Sequence, residues 1–443
     1  MRSAIVLGAG IGGLLAAGAL SRAFEHVVVL DRDQIPDTPM PRIGVPQGPQ
    51  VHAVMKRGEL AIESILPGFR ESLAEAGGTT LRVGLDFRVF EGGGWHPRRD
   101  LGITLSSQTR ALFEQVIRQR LLANGNVALH PRRRFRGLTF NESGVVSGVI
   151  IEGDGREDLS ADLVIDAMGR GSPIPDWLAR EGFGQAPSVS TGIDLHYSTI
   201  LFHVPERWRG EPWCLVLRAT APDKVRGATV VSIEGDRWLL SMVTRFDDRP
   251  PTTVPDCLAF LDGLESPEIF NRIRHAVPAS KARRFHIPES KVRFFSRMPR
   301  YPTGLLPLGD VIGTFNPLLA QGMTVAAVHA EILGDMLERR INAGGSLDLA
   351  GLAGDYIPAV TDVSQKAWTA GAYADHLYPR TWGELPGNFE PYHRFRKALR
   401  KAIDADPVIH RQAVRVAQLL EPSWVLPRDE ILARFAEPDH GGS

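Results

Sequence analysis

Cysteine is almost missing from this chain. Cys214 and Cys257 are the only two in 443 residues, and neither sits in a metal-type or redox-type spacing. No disulfide framework or metal site is therefore expected. Net charge is missing too: 51 basic residues balance 51 acidic ones, so no global field favours nucleic acid or an anionic membrane. The one basic cluster, Arg132-Arg133-Arg134 with Arg136, reads as a solvated loop. Repeats and low-complexity tracts are absent, and only the tail after Glu437 reads as disordered. Long apolar runs are scarce. The uncharged stretch 3–20 superficially resembles a signal peptide or a short membrane span. Glycines at fixed positions inside it, and a second apolar strand after Glu25-His26, argue against both. These absences leave a soluble, cytoplasmic enzyme of two or three domains, with a small-molecule partner and no integral membrane segment.

What is present begins at the first residues. The apolar run Ser3-Ala4-Ile5-Val6-Leu7 precedes Gly8-Ala9-Gly10-Ile11-Gly12-Gly13. A buried parallel strand feeding a tight turn at Gly8 fits a dinucleotide site. Gly10 lets backbone approach a pyrophosphate, and Gly13 lets the next helix lie on the sheet. That helix, over 14–23, offers free N–H groups and a positive dipole end to phosphate oxygens. A second strand, 27–30, ends in Asp31, placed to accept hydrogen bonds from a ribose diol.

Further along, the periodicity predicts a helix over 51–66, strands within 81–90, a helix over 109–122, and strands over 145–152 and 161–167. From 192 to 245 the period shifts to two with Val, Leu, Ile and Trp enriched, which predicts a mostly antiparallel sheet. Residues 255–277 and 320–340 read as helices, and the remainder from 347 as helical with a loop at 378–391. The fold class expected is α/β. A Rossmann-like nucleotide domain (1–75, 100–180, 296–345) would be interrupted by a substrate-binding sheet domain (76–99, 181–295) and followed by a helical region (346–443).

A second motif lies near residue 310. The strand Leu305-Leu306-Pro307-Leu308 ends in Gly309-Asp310, and Phe315-Asn316-Pro317-Leu318-Leu319-Ala320-Gln321-Gly322-Met323 opens the long helix. A carboxylate at such a strand end can bond the hydroxyls of a ribityl chain. A helix N-terminus aimed at the pyrimidine edge of an isoalloxazine stabilises the charge of reduced flavin.

Together these segments, with Arg110 and Asp166-Ala-Met-Gly-Arg-Gly-Ser172, resemble the group A flavoprotein monooxygenases, which share the fold of para-hydroxybenzoate hydroxylase. Pro41-Arg42-Ile-Gly-Val-Pro-Gln47, His52 and the 315–324 run are similar to a branch that includes the flavin epoxidases of polyether biosynthesis. The resemblance implies that Gly8, Gly10, Gly13 and Asp31 hold the ADP half of FAD, and that Arg110 lies near its phosphates or ribityl chain. It further implies Asp310 on the ribityl hydroxyls, and Pro317, Gly322 and Met323 around the pyrimidine edge. The Asp166 segment resembles one that touches both FAD and NADPH, but Ala167 and Met168 separate Asp166 from Gly169, which puts direct NADPH or NADH use in question.

The activity implied is hydroxylation or epoxidation of a large apolar metabolite, a polyketide or terpenoid, through a flavin C4a-hydroperoxide. A separate flavin reductase or a carrier-bound substrate is compatible with it. No acid, base or nucleophile is obligatory, and Arg42 and His52 are the candidates nearest the flavin. Tyr197, Phe202, Trp213 and Trp238 are candidate substrate contacts or plain core. The sheet is expected to floor a largely apolar cavity with few charges. Two other readings stand beside this one: a flavin-bound non-redox cyclase of a polyene, and a flavin-dependent halogenase, whose Trp-x-Trp-x-Ile-Pro signature is missing here.

Overall fold

Five short strands assemble the first layer. Ser3–Leu7 is flanked by His26–Leu30 on one side and Leu163–Asp166 on the other, with Val127–His130 and Leu305–Pro307 at the two edges, all parallel. Ser3–Leu7, Leu163–Asp166 and Leu305–Pro307 are buried on both faces, which is why they read as continuous apolar runs rather than alternating ones, while the edge strand Val127–His130 is partly exposed. Helices Ile11–Leu20, Arg110–Leu122 and Gly322–Gly344 pack against the sheet through one apolar cluster that includes Leu15, Ile117 and Leu333. The protein, here a computed structural model, is described over residues 2–344 and 347–436. The tail beyond Glu437 lies outside the described residues. No helix among them is long and apolar enough to cross a membrane.

A nine-stranded sheet forms the second layer. Its main path runs Gly313–Thr314, Arg283–Arg293, Ser188–His203, Arg237–Arg245, Gly227–Ile233, Cys214–Leu217, Phe87–Glu91 and Gly94–Trp95. Only the pairing of Cys214–Leu217 with Phe87–Glu91 is parallel. The strand Arg283–Arg293 carries no expectation from the sequence, and the reason is visible. Pro288 has no N–H for a ladder, and the partner strand shifts register between Gly192 and Leu195, where Asp194 turns to φ 41°. A proline and a bulge face each other, which hides an otherwise alternating strand.

Three other expectations need correction. The basic cluster is not simply a loop: Arg134–Phe140 is a strand that buries Phe135 and Leu138 while Arg136 pairs with Glu152. The helix expected over 51–66 begins only at Lys56, because the Met55 N–H is taken by Thr324 Oγ1, 2.9 Å away. Residues 255–277 form two helices, Val254–Asp262 and Glu268–Ile273, broken around Gly263 and Pro267. Past residue 347 the helix Leu352–Asp375 packs against the large sheet, Phe389–Ala405 packs on that helix, and Pro407–Ala417 and Arg428–Phe435 pack on Phe389–Ala405.

Candidate functional site

The glycine turn is set by close approach. Gly8 has φ 100°, and a Cβ there would lie 2.6 Å from Ala167 O. At Gly10 a Cβ would meet nothing within 4 Å, so the backbone faces open space. Gly10 is also the N-cap of Ile11–Leu20 and gives that helix no side-chain cap, nor is there an acidic residue in its first turn. The leading N–H groups are left for a ligand, and an anion is what they favour. Asp31 Oδ2 accepts from Ala9 N at 2.7 Å and Oδ1 from Asp33 N at 2.8 Å.

Arg42 falls at this end too. Its guanidinium donates to Glu114 at 2.8 Å and to Ala9 O at 2.9 Å, and it pairs with Asp31 at 3.3 Å. A cation this saturated braces the turn. Arg42 lines the cavity beside Gly8, Gly10 and Asp31, with its guanidinium held by these partners. Without Asp31, Arg42 would still be paired with Glu114 and Asp33.

The second motif converges from the other side. Gly309 takes φ 67°, its N–H donates to His329 Nδ1 at 3.2 Å, and His329 Nε2 meets Ser364 Oγ at 3.2 Å. Because Nδ1 must accept, Nε2 carries the proton. Burial pushes the pKa of His329 down to about 3, so the ring stays neutral. No sequence signal marks His329, whose partners lie 20 and 35 residues away. Asp310 lines the cavity, and its carboxyl pKa is raised by burial against the pull of Arg110 and Arg170. Arg110 lines the same space, and its buried Nε has no hydrogen-bond partner among the described residues. Pro317, Gly322 and Met323 line it as well.

Asp166 does not reach the cavity. Its Oδ1 accepts from Met168 N at 3.1 Å and its Oδ2 from Ser172 Oγ at 2.6 Å, so the two extra residues wrap around it. Ala167, Met168, Gly169 and Arg170 reach the cavity in its stead. Gly13 likewise contributes through packing rather than contact. Burial raises Asp166 from 3.8 to about 6. Between those values the folded protein holds a proton that the unfolded chain releases, so stability falls as pH rises through this window and is flat above it. Asp166→Asn should remove about 3 kcal/mol of that decline, read as the difference between the two proteins' urea unfolding curves from pH 4 to pH 7. Parallel curves would show that Asp166 keeps an ordinary pKa.

Both motifs open into one cavity of about 2420 Å³ that continues across the large sheet. Alternation decides which side chains meet it. Tyr197, Thr229, Val231, Ser241, Val243, Phe285 and Ile287 face the cavity. Their even-numbered neighbours Phe202, Val230, Trp238, Leu240 and Met242 face away, into a core with Phe260 and Ile269. Phe202, Trp213 and Trp238 are thus core residues, 0%, 6% and 0% exposed, and are corrected as substrate contacts. Tyr197 remains, with its buried hydroxyl unpartnered. His52 lines the cavity, and its Nδ1 must donate to Gln50 O, 2.8 Å away, which leaves Nε2 as an acceptor. Burial, then Arg110, lowers its pKa to about 3.

Two polar clusters interrupt the apolar wall. Arg245 pairs with Asp375 at 2.9 Å, and Asn316 Nδ2 donates to the same oxygen at 2.6 Å. At the far edge Glu91 meets Arg218 and Arg396. The expectation of few charges therefore fails at both clusters, and Asp362 and Lys366 line the cavity as well.

Comparison with known proteins agrees with this architecture. The chain is 28% identical over 445 residues to Protein Rv3254 of Mycobacterium tuberculosis (strain ATCC 25618 / H37Rv), across 97% of this chain and 92% of that one. Among solved structures, the flavin-dependent brominase Bmp2 superposes with TM-score 0.65 at 15% identity, over 97% of this chain and 96% of that one. PqsL, a probable FAD-dependent monooxygenase from Pseudomonas aeruginosa, gives 0.62 at 18%, over 85% and 96%. The fold is that of the FAD-binding flavoproteins. The Diels-Alderase PyrE3 of pyrroindomycin biosynthesis carries it as well, at TM-score 0.62 and 17% identity, over 96% of this chain and 81% of that one. No family model matches the chain. A flavoprotein fold that serves bromination, oxygenation and cycloaddition leaves the chemistry to the site.

Proposed function

We propose that this protein is an FAD-dependent monooxygenase that hydroxylates or epoxidises a large, mostly apolar organic molecule of the polyketide or terpenoid kind. One observation carries the reading: a single cavity of about 2420 Å³ holds the glycine turn, the 315–323 segment and the apolar face of a sheet. Ordinary ligand pockets measure about 300–1,000 Å³, so the space suits a dinucleotide and a sizeable second molecule together.

The residues present fit FAD. The uncapped helix start at Gly10 and the orphaned Arg110 Nε suit phosphate oxygens, and Asp31 suits a ribose. Asp310 would accept from ribityl hydroxyls, and the backbone at Gly322 and Met323 would meet the pyrimidine edge. Bound flavin supplies the activation of molecular oxygen for transfer to an electron-rich carbon. The chain's part is positioning and exclusion of water: Val231, Val243, Phe285 and Ile287 form a wall without donors, and the neutral His52 offers one acceptor.

The purified protein should be yellow and release FAD, and Asp310→Ala should lower FAD retention by tenfold or more, roughly, since a charged acceptor is lost. Extraction of FMN alone, or no flavin after reconstitution, sinks the reading. A non-redox cyclase is the second reading, favoured by the length of the apolar chamber. Anaerobic mixing with NADPH or NADH separates them: an oxygenase flavin bleaches, either directly or once a flavin reductase is added, and a cyclase turns over its polyene with the flavin still oxidised.

A further inference from the structure

We propose that the end of the cavity far from the flavin motifs is an anion site, and that the molecule it takes is elongated, with an apolar body and a carboxylate or phosphate head. The inference deepens the reading of this cavity as a substrate chamber and rests on it.

Position comes first. Glu91 ends the strand Phe87–Glu91, and Arg218 directly follows its neighbour Cys214–Leu217, so the two flank each other at the distal part of the sheet. Arg396 and Lys397 reach the same space from helix Phe389–Ala405. The 315–323 segment lies at the opposite edge, beside Gly313–Thr314. From the strand of Tyr197 to that of Glu91 the sheet takes four strand steps, roughly 19 Å at the usual spacing. Thr229, Val231, Val243, Cys214 and Val216 pave the interval.

Charge comes second. Arg218 Nη1 and Arg396 Nη2 both bond one oxygen of Glu91, at 3.0 and 3.2 Å. Each guanidinium has five N–H donors, so most remain unused, and Arg218 Nε is buried with no partner. Lys397 has no carboxylate within 4.0 Å among the described residues. The other nearby acids are engaged, Asp404 by Arg400 at 2.5 Å and Glu421 by Arg415 at 2.6 Å. Arg400 is structural, its Nε donating to Glu91 O at 3.0 Å. Three cations thus face the chamber against one shared carboxylate. The Arg396 side chain is 41% exposed while lining the cavity, so its donors remain accessible to a ligand. A planar carboxylate or a phosphate matches such a fork.

The test uses the full chain and three probes: dodecanoate, dodecyl phosphate and the neutral dodecanamide, titrated by calorimetry with flavin content measured in parallel. At least one anion should bind about tenfold more tightly than the amide, and Arg218→Gln with Arg396→Gln should reduce that preference to about twofold with flavin unchanged. Preference for the phosphate alone assigns a phosphate head, and for dodecanoate alone a carboxylate. Lys397→Gln, at an exposed rim position, should lower the preference severalfold without affecting folding. Equal binding of acid, phosphate and amide to the natural chain, or a preference that persists in both variants, overturns the proposal. A colourless protein that still prefers the anion keeps this site and defeats the flavoprotein reading instead.

Discussion

Gly13→Ala should yield no stable, flavin-retaining protein. The added Cβ would sit 1.8 Å from Gly8 O and 3.0 Å from Gly8 C, and both are backbone atoms of the tightest turn in the site. No side chain can swing aside, so helix Ile11–Leu20 must lift off its strand. That helix buries Leu14, Leu15, Ala16, Ala17 and Leu20 in the core, and lifting it opens that cluster. The cost should exceed about 4 kcal/mol, at the top of the range for single substitutions. Gly10→Ala is the matched control. Its backbone is extended and its Cβ would meet nothing, so folding should be untouched while the methyl occupies space a pyrophosphate would need. Thermal unfolding and flavin absorbance read both. A Gly13→Ala protein that melts like the natural chain and keeps its flavin would refute the turn geometry.

Asp375→Leu is expected to be nearly as damaging, for a different reason. Its Oδ1 is shared by Arg245 and Asn316, and the two ionic side chains are 0% and 5% exposed. Removing one partner strands the other charge in the interior, which costs about 3–5 kcal/mol. Arg245 would keep only Ile193 O at 3.3 Å and the ring of Tyr378, 4.5 Å from its Cζ. The cluster ties the sheet, helix Leu352–Asp375 and the segment beginning at Asn316, so flavin retention should fall along with stability. Replacing both Arg245 and Asp375 by leucine should recover a large part of the loss, because no lone charge is left. A double variant as unstable as the sum of the singles would mean the pair acts independently of its charge.

The parts of this molecule legible in its sequence are those fixed by short spacings. Strand, glycines, helix, strand and Asp31 fall within the first 31 residues, and the backbone follows that order. The nine-stranded sheet was legible as alternation but not as orientation. Phe202 and Trp238 are large aromatics on the core side, where parity relative to Tyr197 and its partner Val243 puts them, while Trp213 precedes a strand whose cavity-facing residues are the even-numbered Cys214 and Val216. What holds Arg42 was not legible, because Glu114, which its guanidinium meets at 2.8 Å, lies 72 residues away. His329 was silent since a histidine on a helix announces nothing until Gly309 and Ser364 are seen on its two nitrogens. Asp166 was misplaced because two inserted residues change a contact into a self-contained turn.

The two-faced sheet has an evolutionary corollary. Thr229, Val231, Ser241 and Val243 shape the chamber, while Val230, Leu240 and Met242 on the same strands hold the hydrophobic core. Selection on ligand choice and selection on foldability therefore act on interleaved but separate sets of codons. A library confined to the first four positions could be diversified broadly and still yield mostly folded proteins, whereas the same diversity one residue along would be lost to misfolding.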